Sequence, residues 1–344
     1  MTEHASFAAL LPHLSRAEGP DVRHVRAAFD AILAGAWTPV QVGAFAVTLR
    51  ILGETAEVIV AGAEALRGTM TAVSTEAKEV IDTCGTGGDL SGTLNLSTAA
   101  ALVVAAVGVP VAKHGNRSVS SRCGSADVIE ALGIPIDVPP ERQGRVLSEA
   151  GIAFLFAPAH HPALRHAAQA RRELGLRTIF NALGPLANPA RATHQLIGVY
   201  DDALRSVFAD ALSKLGVARA WVVRSEDGLD EVSPSAPTRV TELADGRVRE
   251  LVVSPEDFGL ARAPRESIAG GDAKANAEAI ESLVYGKAHP AGDAVVLNAA
   301  AALVVARGLP LREAAAIARR AMEGGAASAT LERWRRAAVK AKET

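Results

Sequence analysis

Apolar residues recur at helical spacing from Val22 to Thr69, first as Val25, Phe29, Ile32 and Leu33 and then as Val42, Phe45, Ala46, Leu49 and Leu52. Asp21 and Thr38 stand where N-caps belong, and Gly35, Gly53 and Gly68 punctuate the pattern, so a small helical unit is predicted. After Thr75 the texture changes to short runs of β type: Val80-Ile81, Val109 to Ala112, Ile152 to Phe156, Leu196 to Val199 and Ala220 to Val223. Gly or Pro and then a helical stretch follow these runs, an alternation that predicts an α/β fold on a parallel or mixed sheet. Two further runs within Thr238 to Val253 flank Asp245-Gly246 and predict a hairpin. From Lys274 onward the pattern is helical again and ends in a basic tail. The string AAALVVA occurs at Ala99 to Ala105 and at Ala300 to Ala306, with Asn95 and Asn298 upstream of each. No fixed period accompanies it, so it predicts two closely packed small-residue helices rather than a duplication.

Composition narrows the class. A chain of 344 residues, 49% hydrophobic and 22% charged, forms one large or two ordinary domains. With 36 Lys plus Arg against 38 Asp plus Glu, the net charge of -2 offers no whole-molecule attraction to nucleic acid or anionic membranes, so any anion site must be local. Two cysteines, Cys84 and Cys123, are too few for a disulfide framework, and a reducing cytoplasm is expected. Glu3 and His4 stand where an export signal would carry basic residues, and Pro12-His13 interrupts the apolar start, so export is not expected. The longest apolar run, Ala99 to Ala112, contains Gly108 and Pro110 and falls short of the roughly 20 residues of a membrane span. It reads as a buried helix followed by a strand.

Several segments carry chemistry. Asp82 to Asp89 (DTCGTGGD) follows a predicted strand and precedes a helix, a setting in which backbone N–H groups and a helix N-terminus favour diphosphate. Leu90 stands where a dinucleotide fingerprint wants Gly, and no Lys-Ser or Lys-Thr follows the glycines as in a nucleotide-binding P-loop, so an ordinary Gly-rich turn stays open. Asn95 to Thr98 (NLST) can cap the following helix or turn hydroxyls to phosphate and metal. Lys113 to Ser121 (KHGNRSVSS) follows the next strand. In a doubly wound sheet both loops face one crevice, and Lys113, Arg117 and Arg122 bring cations to it. The adjacent carboxylates Asp230-Glu231 suit magnesium beside a pyrophosphate, although an acidic run with Glu226 and Asp227 also reads as a solvated loop. Gly184-Pro185 alone reads as a turn, and His160-His161 lacks Asp or Glu at metal-site spacing.

Taken together and in order, GTGGD, NLST, KHGNRSVSS and the GLDE of Gly228 to Glu231 resemble the anthranilate phosphoribosyltransferase family, and the likeness runs through most of the chain. The resemblance implies a small N-terminal helical domain, residues 1–75 joined by part of 176–194. A larger α/β domain, residues 76–344, would carry a central mixed, mainly parallel sheet, with substrates in the cleft between. It implies transfer of the phosphoribosyl group of phosphoribosyl pyrophosphate (PRPP) to the amine of anthranilate, giving N-(5-phosphoribosyl)anthranilate and pyrophosphate in tryptophan synthesis, with no side-chain nucleophile. By the same resemblance Gly85, Gly88, Asp89 and Thr93 hold the pyrophosphate, and Asn95, Leu96, Ser97 and Thr98 reach phosphates and ribose. Lys113, His114, Gly115, Asn116, Arg117, Ser118, Val119, Ser120 and Ser121 close over the phosphoribosyl group, with Ser125 at the next helix start. Gly85, His114, Asn116, Arg171, Gly184 and Pro185 take anthranilate, the Arg171 guanidinium matching its carboxylate, although Arg172 is adjacent. Ser97, Asp230 and Glu231 bind magnesium, two ions per subunit, in a cytoplasmic homodimer formed through the helical domain, with no nucleic-acid or membrane partner. The chain departs from the family at Ser233 to Ala236, where a Thr-Gly turn is common, which leaves the geometry of that loop open. The competing expectations are a pyrimidine-nucleoside phosphorylase, disfavoured by the intact KHGNR and acidic pair, and a nucleic-acid-binding relative without activity, disfavoured by the near-neutral charge.

Overall fold

The structure is a computed structural model that describes residues 4–15, 19–87, 92–118 and 122–343. Its N-terminal bundle comprises α1 (Phe7–Leu14), α2 (Val22–Leu33), α3 (Pro39–Leu52) and α4 (Ala56–Thr69). The Asp21 carboxylate accepts the Arg23 N–H at the start of α2, and Thr38 and Gln41 form a reciprocal capping box at the start of α3. Gly35 and Gly53 end helices as the sequence predicts. Gly68 does not, because α4 runs through it to Thr69: Leu66 is fully buried, and the Arg67 guanidinium ties the last turn to the Leu186 and Leu215 carbonyls at 2.9 and 3.3 Å. Tertiary anchoring there outweighs the roughly 1 kcal/mol penalty of a helical glycine.

The α/β domain holds a seven-stranded sheet of β1 (Ile81–Gly85), β2 (Val111–Gly115), β3 (Ile152–Phe156), β4 (His194–Gly198), β5 (Arg219–Ser225), β6 (Thr238–Ala244) and β7 (Arg247–Val253), in the order β3-β2-β1-β4-β5-β6-β7. The first five strands are parallel, β6 pairs antiparallel with β5, and β7 pairs antiparallel with β6. Asp245 and Gly246, at φ +51° and +70°, make the two-residue hairpin turn with both residues left-handed. The chain winds outward from β1 to β3 and then returns to β4 on the other side of β1. A topological switch point therefore lies at the carboxyl ends of β1 and β4, where open α/β sheets bind ligands.

The covering helices are α5 (Leu96–Ala106), α6 (Ser125–Ala131), α7 (Gln143–Ala150), α8 (Ala157–His160), α9 (Arg165–Leu174), α10 (Ile179–Leu186), α11 (Leu204–Lys214), α12 (Ala273–Val284), α13 (Gly292–Arg307), α14 (Leu311–Glu323) and α15 (Ala326–Glu343). The two AAALVVA strings lie in α5 and α13, which pack directly on each other. Period-2 alternation divides the buried side chains into two cores: Leu196, Trp221 and Val223 face the one under α5 and α13. Ile197, Val199, Ala220 and Val222 face the one that also contains the helical bundle, α9, α10 and α11. Among the described residues no single helix is long and apolar enough to cross a membrane.

Candidate active site

Strands β1 and β2 extend further into their motifs than the apolar runs suggest, so Asp82, Thr83, Lys113 and His114 are buried within strands. Such residues persist there because they satisfy one another. The Asp82 carboxylate accepts the His114 N–H at 3.1 Å and Asn188 Nδ2 at 2.8 Å, and the same amide donates to the Ala112 carbonyl at 2.8 Å. Burial pushes Asp82 up to about 6, against the pull of the Lys113 cation and these hydrogen bonds. Lys113 itself is 2% exposed, and burial lowers its ammonium below the usual range. It donates to the Thr83 carbonyl and, at 3.1 Å, to Ser97 Oγ. Lys113 is thus a strut that orients the Ser97 hydroxyl from below, rather than the loop cation read from sequence.

The acidic pair meets the first loop directly. The Ser97 N–H, in the first turn of α5, donates to Glu231 Oε1 at 3.2 Å, where the helix dipole also favours a carboxylate. Gly85 and Gly198 lie side by side in the β1–β4 register. A Cβ on Gly198 would fall 1.5 Å from the Asp230 carbonyl oxygen, and one on Gly85 would fall 2.9 Å from Asp230 Oδ2, so the carboxylate segment rests on the two strand ends. Asn298 fixes the next residue from both sides, accepting the Val232 N–H at 3.0 Å and donating to its carbonyl at 2.9 Å. The Ser233 to Ala236 turn is built around Asp227, whose Oδ2 accepts the Ser233 and Ser235 hydroxyls at 2.7 and 2.5 Å. Asp227 is therefore a structural hub and not the solvated charge that its acidic neighbourhood suggests. The Glu231 carboxylate at the Ser97 N–H and the Asp230 carboxylate beside Gly85 bring oxygen donors, with the Ser97 hydroxyl on the same turn, to one end of the sheet, and among the described residues no three His, Cys, Asp or Glu side chains gather as a cage. That set fits magnesium, which takes one or two carboxylates and draws its other oxygens from phosphate and water.

The second loop is closed by Asp127, a residue the motif reading passes over. Its Oδ2 accepts the Gly124 and Ser118 N–H groups at 2.9 and 3.3 Å. Arg117 turns onto the same helix and pairs with Asp127 and Glu130 at 2.8 and 2.9 Å, so its charge is neutralised at α6. The Asn116 carbonyl accepts Ser125 Oγ at 3.3 Å while the rest of Asn116 is exposed, and Gly115 lies where a Cβ would come 2.3 Å from that same hydroxyl oxygen. Thr93 bridges to Ala269. The Leu96 side chain is in the core, so only its backbone is available to a ligand, and the Thr98 hydroxyl is buried without a hydrogen-bond partner among the described residues. Gly88, Asp89, Val119, Ser120 and Ser121 lie outside the described residues.

His114 connects this half of the crevice to the helical side. Its Nδ1 lies 3.0 Å from the Gly184 carbonyl in α10. A carbonyl only accepts, so Nδ1 carries the proton and Nε2 is left as a buried acceptor with no partner among the described residues. Burial, reinforced by the nearby His161 ring at 5.1 Å between centroids, pulls His114 down to about 3 and keeps it neutral. Gly184 has open space where a Cβ would be, and Pro185, in the last turn of α10, offers its carbonyl to Gln195 Nε2 at 2.7 Å. Arg171, on α9, has a largely buried guanidinium whose pKa is lowered by desolvation, with no ion pair among the described residues; Arg172 beside it is exposed. Asn188 and Asp127 escaped the sequence reading because single polar residues far apart carry no spacing signal, and Asp82 and His161, although named there, were given no part in the site.

Comparison with known proteins places these elements. Residues 77–328 match the glycosyl transferase family α/β domain and residues 18–70 its helical bundle domain, which defines the class. The chain is 49% identical over 330 residues, 95% of each chain, to anthranilate phosphoribosyltransferase of Methylobacterium radiotolerans. The chain belongs to the anthranilate phosphoribosyltransferase family. The solved enzyme of Thermus thermophilus is 42% identical and superposes with a TM-score of 0.88 over 93% of this chain and 96% of that one. That of Saccharomyces cerevisiae, in complex with PRPP and Mg, is 27% identical with a TM-score of 0.91 over 98% of this chain and 100% of that one.

Proposed function

We propose that the crevice at the carboxyl ends of β1, β2 and β4 binds PRPP with magnesium, and that the chain transfers the phosphoribosyl group to the amine nitrogen of anthranilate. The observation that carries this reading is the Ser97–Glu231 contact beside Gly85 and Gly198, which unites three motifs from distant parts of the sequence. The C1′–N bond forms as the C1′–O bond to pyrophosphate breaks, the electron pair leaves with pyrophosphate, and the amine loses a proton. Ser97, Asp230 and Glu231 would hold magnesium, two ions per subunit, whose charge stabilises the departing pyrophosphate. Lys113 fixes the Ser97 hydroxyl for that task. Arg171 receives the anthranilate carboxylate, Gly184 and Pro185 line its ring, and His114 Nε2 accepts a hydrogen bond from the amine, holding its lone pair toward the ribosyl carbon. A neutral His114 leaves the amine nucleophile unrepelled.

The helical domain extends to about residue 75, with part of 176–194 joining it, and substrates sit between it and the α/β domain. A cytoplasmic homodimer forms through that helical domain, where α3 leaves Val40 and Ile51 exposed. The test follows anthranilate fluorescence on addition of PRPP with and without magnesium. Magnesium-dependent loss is expected. Folded protein that leaves the fluorescence unchanged while a control enzyme works overturns the reading.

A further inference from the structure

Asn276, in the first turn of α12, is 2% exposed, and no motif of the donor site includes it. Its Oδ1 accepts the Gly271 N–H at 2.7 Å, and its Nδ2 donates to Asn95 Oδ1 at 2.9 Å. The backbone N–H of Gly271 can only donate, so it fixes which way the Asn276 amide points. That in turn requires Asn95 to present its oxygen to α12. Asn95 Nδ2 then faces the Cys123 carbonyl, at 3.5 Å, and Cys123 Sγ donates back to Asn95 Oδ1 at 3.4 Å. Cys123 stands at the exit of the second loop, so one chain of amides with a fixed polarity runs from Gly271 through Asn276 and Asn95 to that loop. The backbone follows the same path. Leu94 N–H donates to the Ile268 carbonyl and Gly270 N–H to the Gly92 carbonyl, both at 2.9 Å, around the Thr93–Ala269 bridge.

We infer that Asn276 is a positioning residue for the phosphoribosyl donor: it sets the orientation of the Asn95 amide and, through Cys123, holds the two donor loops in one relative placement. The inference rests on the donor-site reading of Asn95. Asn276 directs its donor into Asn95, a side chain of that site.

Asn276→Asp tests the polarity with almost no change of volume. The new carboxylate still accepts from Gly271 but faces Asn95 Oδ1, so Asn95 must flip and set its oxygen against the Cys123 carbonyl. The expected result is a rise in KM for PRPP of about tenfold, the worth of one hydrogen bond lost or reversed, with KM for anthranilate within about twofold. Asn276→Ala should move the same parameter in the same direction. Steady-state kinetics in both substrates, calorimetric titration of PRPP with magnesium, and thermal midpoints are measured for wild type and both variants. Wild-type protein that binds PRPP, with variants that bind it equally well, overturns the inference and leaves the donor reading standing. So do variants whose midpoints fall while both KM values rise together. Wild-type protein that takes up no PRPP overturns the donor reading and this inference with it.

Discussion

Replacing Gly198 with alanine probes the contact on which the proposed metal site stands. The added Cβ would lie 1.5 Å from the Asp230 carbonyl oxygen and 2.5 Å from its carbonyl carbon, and both obstacles are backbone. To restore ordinary contact at 3.4 Å the Asp230 segment must retreat by about 2 Å, because a packed strand end absorbs little of the shift. Asn298 clamps Val232 on the far side, so the displacement falls on Asp230 and Glu231 themselves. A misplacement of about 1 Å at reacting groups costs about 100-fold in rate, so kcat/KM should fall by at least that factor. Overpacking of this kind costs about 1–3 kcal/mol, which a domain of this size survives. Anthranilate fluorescence loss is followed across a magnesium titration, with circular dichroism to establish the fold. Gly68→Ala is the control: its Cβ meets nothing within 4 Å, and an exposed helical site should gain about 1 kcal/mol with activity unchanged. A folded Gly198→Ala protein with the wild-type rate and magnesium response would falsify the argument that this contact sets the carboxylates.

Three further outcomes are expected. Arg171→Ala should raise KM for anthranilate about 10- to 100-fold with little effect on PRPP, as should Arg171→Lys in large part, whereas Arg172→Ala should leave both unchanged; equal losses for both substrates count against the role of Arg171. Asp230→Ala together with Glu231→Ala should abolish magnesium-dependent turnover, and calorimetry should record at least a tenfold weaker response of PRPP binding to magnesium. Burial holds His114 near 3 and His161 near 4, below the ordinary 6.5, so their contribution is complete above that ordinary value and is lost as pH falls toward the folded values. Asp82, raised to about 6, acts in the opposite sense, its contribution being present at low pH and lost as pH rises through that value. His160 and His194 are lowered by burial in the same way and Glu54 is raised like Asp82, so the buried histidines outnumber the raised carboxyls. Stability should therefore fall on going from pH 6 to pH 4, and His114→Gln should flatten that slope in chemical denaturation. An unaltered slope would mean that His114 is not held neutral.

Much of the α/β domain was legible because strands buried on both faces are written as continuous apolar runs, and Asp245-Gly246 supplied the one turn that needs two left-handed residues. The resemblance of the motifs accounted for the meeting of Gly85, Ser97 and Glu231. Charge type, however, does not reveal burial. Lys113 and Arg117 both read as loop cations, yet one lies under the sheet end holding Ser97 and the other is spent on Asp127 and Glu130. The acidic run at 226–231 likewise gave no sign that Asp227 organises the turn. The roles of Asn188, Asn276 and Asn298 were invisible for a different reason: each acts across long stretches of chain through a single amide, and nothing in local spacing registers such a contact.

The division of the buried side chains into two cores bears on how this protein can change over generations. Ser97, α5 and the α13 that carries Asn298 draw on one core, whose two facing AAALVVA helices leave little room for larger side chains. Gly184 and the helix that carries Arg171 draw on the other, across the sheet. On the proposed reading, mutations in the second core can reshape the side that takes anthranilate while the packing under the donor side stays in place, except where His114 and Asn188 tie the two together. On that reading, a lineage starting from this scaffold can explore new nucleophiles while its sugar donor stays the same.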